Sequence, residues 1–99
     1  MLHIINKSPF ERNSLDSCLR LARPGSSLLL IEDAVYAAAK GNIAADKVKL
    51  ASQTLKVYVL APDLEARGMK ESAIEGVTLV DYGGFVDLVA EHSVVQSWL

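Results

Sequence analysis

Cys18 is the single cysteine of this chain and so its only sulfur nucleophile. One thiol cannot close an intrachain disulfide or build a multi-cysteine metal site. It is either a small apolar packing residue or a reducible nucleophile whose reactivity follows its thiolate fraction. The helical neighbours of Cys18 at three and four residues are Ser14, Leu15, Leu21 and Ala22, so no cation on its own helix face lowers its pKa. Both helix starts available upstream leave it beyond the first turn, where the helix dipole has faded. Local physics therefore favours a packed thiol. A persulfide carrier nevertheless needs just one thiol, and a partner subunit could supply the missing cation.

Four carboxylates, Glu32, Asp33, Asp63 and Asp81, come directly after apolar runs. In an open α/β sheet these positions share the carboxyl edge, where ligands usually bind. A magnesium-dependent phosphoacceptor would use such an edge, yet no acidic pair follows the first run and no basic residue follows a fifth. Helix-start carboxylates, favoured by the backbone dipole, are the commoner arrangement. Gly83-Gly84 precedes a helical pattern and could admit an anion to backbone N–H groups, but it is not G-x-G-x-x-G and comes after the last clear strand, so a tight turn is expected. His3, within a strand, and His92, near a helix end, read as hydrogen-bonded structure. No G-x-S-x-G motif is present, and no histidine is paired with Cys18 by local spacing, so hydrolase chemistry has no support. No cofactor or metal site is expected.

The elements that must position these residues are legible as apolar runs between breakers. Leu2 to Ile5 is short and β-branched, a first strand. Ser8-Pro9-Phe10-Glu11 offers a helix start with a capping hydroxyl, a proline and a glutamate, and Asn13 with Asp16 offers a second. From either, Leu15, Cys18, Leu19 and Ala22 form one apolar stripe that ends before Pro24-Gly25. Leu28 to Ile31 is apolar at every position, the pattern of a strand covered on both faces in a parallel sheet. Ala34 to Lys40 reads as a helix stopped by Gly41, followed by a looser stretch to Thr54 with room for another short helix. Leu55 to Leu60 is a third strand, Asp63 to Gly68 a short helix, and Val77 to Val80 a fourth strand. A helix then carries Phe85, Leu88, Val89 and His92. The apolar tail from Val94 to Leu99 is expected as a fifth strand or as an arm that contributes to subunit association. Strands alternating with helices imply βαβ crossovers and hence an α/β fold, a mostly parallel sheet of four or five strands with helices on both faces.

With 99 residues the chain is long enough for a single domain, residues 1–99, and too short for separate catalytic and cofactor domains. Hydrophobic residues make up 51% and the mean hydropathy is +0.24, an apolar surplus that points to a subunit interface. Twelve acids and ten bases are scattered without a basic block, which argues against direct nucleic-acid binding. No run reaches the ~18 to 20 apolar residues of a membrane span. The first residues lack the basic-then-apolar order of a secretory signal, so a cytoplasmic protein is expected.

Four stretches in register resemble the DsrH/TusB family: residues 2–10 (LHIINKSPF), 28–38 (LLLIEDAVYAA), 56–68 (KVYVLAPDLEARG) and 80–86 (VDYGGFV). The resemblance implies a DsrE-like fold and assembly with DsrE/TusD-like and DsrF/TusC-like subunits into a heterohexamer that relays persulfide sulfur. In such complexes the DsrE or TusD subunit carries the principal acceptor cysteine, and the DsrH-type chain is mainly a structural or regulating partner. A DsrC/TusE-like acceptor would be reached through the complex. The setting is either thiolation of a tRNA wobble uridine or sulfur oxidation. Cys18 stands where DsrH-type chains carry a helix cysteine, a resemblance that favours the sulfur-oxidation branch and makes Cys18 the candidate persulfide carrier.

Overall fold

The computed structural model describes residues 1–98. Five strands, β1 (Leu2–Ile5), β2 (Ser27–Leu30), β3 (Lys56–Leu60), β4 (Val77–Val80) and β5 (Val95–Trp98), form one sheet in the order β4-β3-β2-β1-β5. Every pairing is parallel. Four α-helices connect them: α1 (Ser14–Leu21), α2 (Ile43–Ala51), α3 (Ala61–Ala66) and α4 (Tyr82–Glu91). Leu99, the last residue of the apolar tail, lies outside the described residues.

The strand order explains which helix covers which face. From β1 to β4 the chain steps one strand at a time in one direction, so right-handed crossovers put α1, α2 and α3 on the same side. From β4 to β5 it travels back past three strands, and the same handedness sends α4 to the other side. The cores agree. Ile5, Leu28, Leu30, Val57 and Val59 pack with Leu15, Cys18, Val48 and Leu64 on the first face. Leu2, Leu29 and Leu88, with Phe85 and Tyr58 against them, make the smaller second core. All four residues of β2 are buried, as expected of a strand covered on both sides.

Local structure settles one open reading and departs from expectation in two further places. The first helix begins at Ser14, the second of the two starts. Ser8 instead closes a single turn, its carbonyl accepting from the amides of Glu11 and Arg12. The run after β2 is a 3-10 helix, Glu32–Ala38, rather than an α-helix. Its small residues Ala34, Val35, Ala37 and Ala38 are all buried, and Ala39 then turns extended to bridge Ala73. Finally, the looser stretch holds a full helix, α2, whose cap is Asn42. The Asn42 side-chain oxygen accepts from Ala45 N at 2.8 Å while its amide donates to Ala39 O at 2.9 Å. That satisfies an otherwise orphaned helix donor and contributes about 1 kcal/mol.

Candidate functional site

Cys18 faces the sheet. It is fully buried among the first core, and removal from water pushes its thiol up to about 11. At neutral pH it is a thiol, not a thiolate, and it has no exposed surface. A sulfur held this way packs like a small apolar side chain.

At the carboxyl edge, two of the carboxylates singled out in the sequence, Asp33 and Asp63, are tied to an arginine and to backbone respectively. Asp63 on α3 accepts from the backbone amide of Glu32 at 2.6 Å. Arg67 donates through Nε (3.1 Å) and Nη2 (2.8 Å) to Asp33, and through Nη1 to the Asp63 carbonyl at 3.1 Å. The hydrogen bonds to Asp33 outweigh partial burial and raise the guanidinium pKa further. The result is a clip that fastens the start of the 3-10 helix to α3. Glu32 has φ +50, an uncommon backbone state for a residue with a side chain. Arg67 was not singled out from the sequence; its spacing of four from Asp63 on a short helix was the available signal.

Asp81 also acts as a cap. Its side chain accepts from Gly84 N at 2.8 Å at the start of α4. A side chain at position 84 would come within 2.9 Å of the Val80 side chain, so Gly84 serves close helix–strand packing at a turn. The acids therefore start helices, and among the described residues no group of three or more His, Cys, Asp or Glu is arranged to hold a metal.

Both histidines are tied by hydrogen bonds. Trp98 Nε1–H donates to His3 Nδ1 at 3.1 Å, and burial, then the nearby N-terminal charge, lowers the His3 pKa. His92 joins the end of α4 to β2, with Nδ1 at 2.7 Å from the Leu88 carbonyl and Nε2 at 3.2 Å from Ser27 Oγ. Hydroxyl, imidazole and carbonyl in series resemble an activated nucleophile. Ser27, however, is buried and opens β2 at the amino edge of the sheet, opposite the edge where α/β ligands bind. This pairing spans 65 residues and carried no local signal.

The most accessible apolar side chains of α4 are Tyr82, Val86 and Val89, exposed 63%, 65% and 38%. Their spacing puts them on one outward stripe, while Leu88 and Phe85 face the sheet. β5 has a mixed character. It pairs with β1, and Trp98 packs on the chain's own first core, so the tail completes the sheet; Val94 and Val95 stay exposed.

A family model described as "DsrH like protein" matches residues 7–95. The chain belongs to the DsrH family. Among curated relatives, this DsrH-family chain is 40% identical over 99 residues to Protein TusB of Pectobacterium parmentieri and 37% identical over 98 residues to Protein TusB of Escherichia coli, with 99% of this chain and all of each relative covered. The fold is that of the ychN protein from E. coli, with a TM-score of 0.77, 22% identity and 97% of both chains covered. It is also that of MTH1491 from Methanobacterium thermoautotrophicum, with a TM-score of 0.74, 19% identity and 97% of this chain and 95% of that one covered. For a DsrH-family chain the arrangement is chemically quiet at its own thiol and apolar on the outside of α4.

Proposed function

We propose that this chain is a single-domain, cytoplasmic subunit of a sulfur-relay complex serving tRNA wobble-uridine thiolation, in which it holds the sulfur-bearing subunits in place. Its partners are a DsrE/TusD-like and a DsrF/TusC-like chain in a heterohexamer, with a DsrC/TusE-like acceptor engaged through the complex. The observation that carries this reading is end-to-end similarity to proteins named TusB. Two features support a holding role. Cys18 is sealed and protonated, unsuited to passing sulfur, and the outward stripe of α4 offers the apolar surface that subunit contacts use. The sulfur-oxidation branch rests on Cys18 alone, and burial of that sulfur weighs against it.

Affinity-tagged chain recovered from its native source should bring down both partner types, and deletion of the gene should abolish 2-thiouridine in tRNA. Recovery as a solitary chain, or unchanged 2-thiouridine after deletion, would sink the proposal.

A further inference from the structure

Helices α1 and α2 lie side by side over the sheet, but a trough separates them along their length. Two hollows of about 390 and 490 Å³ line up in it, one between the Phe10 turn and the start of α2, the other between the ends of both helices. Between them the trough is crossed by an ion pair, Lys47 Nζ to Asp16 Oδ1 at 2.8 Å, with both side chains about half exposed. Such an exposed pair contributes little stability and is free to exchange partners.

The walls combine two chemistries. Phe10, Ile43 and Leu50 are exposed 63%, 74% and 67%, among the most accessible large apolar side chains of the molecule. The charged lining is Arg12, Arg20 and Lys47 against Asp16 alone. Among the described residues neither arginine makes an ion pair. A chain of net charge -2 thus carries a locally basic, apolar trough. Its length, set by helices of eight and nine residues, is about 12 to 14 Å, which suits two to three turns of a helix laid into it.

We infer that the α1–α2 trough is a docking site for an amphipathic helix of a partner protein, one with apolar residues at i, i+4 and i+7 flanked by carboxylates. The apolar residues fill the two hollows, and the carboxylates take Arg12, Arg20 and the Lys47 released from Asp16. This surface lies on the opposite side of the sheet from α4. The inference stands whether or not sulfur is the cargo.

The test uses the full chain, isotope-labelled, titrated with a stapled helical peptide carrying leucines at those spacings and glutamate flanks, beside a lysine-flanked twin. Saturable binding of the glutamate peptide, with amide shifts confined to residues 10–22 and 43–55, is expected. The lysine peptide should bind about tenfold more weakly or not at all. The double variant Arg12→Glu with Arg20→Glu should reverse that preference, and Ile43→Ser should weaken both peptides with an unchanged melting temperature. Equal binding of the two peptides, shifts centred on α4, or no saturable binding would each overturn the inference. The α4 stripe has similar flanking acids, Asp87 and Glu91, so light scattering of the chain alone is part of the test. Self-association lost in the arginine variant would assign the trough to a second copy and overturn the separate partner.

Discussion

Trp98 on the last strand donates its indole N–H to His3 on the first, 3.1 Å away, with ring centroids 6.1 Å apart. The bond requires an unprotonated Nδ1, so the neutral imidazole carries its proton on Nε2. Because the folded state holds His3 below its ordinary 6.5, the unfolded chain takes up the proton first as pH falls. Stability from this bond is therefore complete above about pH 6.5 and declines below it. The melting temperature should drop between pH 7 and pH 5, and Trp98, the only tryptophan, should report loosening of β5 by its emission. His3→Asn keeps an acceptor without titrating, and an equally steep pH dependence in that variant would rule His3 out as the cause.

Cys18 is predicted to be unreactive in the native state. A thiol reagent should label it slowly in buffer and fully after denaturation, and a persulfide donor should leave no sulfur adduct on the folded chain. Cys18→Ser, which buries a hydroxyl without a partner, should cost about 1 to 3 kcal/mol, measured by urea unfolding. Rapid native labelling would show that the core opens and would return Cys18 to the relay.

Truncation after Ser93 is predicted to destabilise the chain rather than merely detach an assembly arm. β5 supplies a whole edge of hydrogen bonds to β1, and Trp98 covers part of the first core. Trp98→Ala, removing a half-buried ring, should cost about 2 kcal/mol. A truncated chain that melts like the intact one would contradict this assignment.

The clip at the carboxyl edge gives paired expectations. Asp63→Ala removes the side-chain acceptor for the Glu32 amide while leaving the backbone carbonyl that Arg67 binds, and should cost about 1 kcal/mol. Glu32→Gly relieves a positive φ and should stabilise by about 0.5 to 1 kcal/mol. Thermal melts of both variants decide the matter, since a destabilised Glu32→Gly protein would mean that the Glu32 side chain itself contributes.

Much of the fold was legible locally. Apolar runs located four strands to within a residue or so and left the fifth open between a strand and an arm, and the stripe of Leu15, Cys18, Leu19 and Ala22 correctly marked the inward side of the first helix. Even the capping role of Asp81 follows from an acid placed where a helix begins, whereas the bond of Asp63 to the distant Glu32 amide does not. Helix α2 was underread because Asn42 as its cap is recognisable only once the preceding run is known to end in extended backbone at Ala39.

What the sequence determined by itself is therefore the alternation of elements and the doubly covered central strand, since periodicity and local caps act over a few residues; the family came from the resemblance of its four stretches. Tertiary structure alone decided which distant groups meet. The long return from β4 to β5 brings Trp98 beside His3, the same crossover sets His92 against Ser27, and the spacing of α1 from α2 leaves an apolar trough whose arginines make no ion pair among the described residues. Those outcomes depend on strand order and crossover handedness, which no window of neighbouring residues encodes.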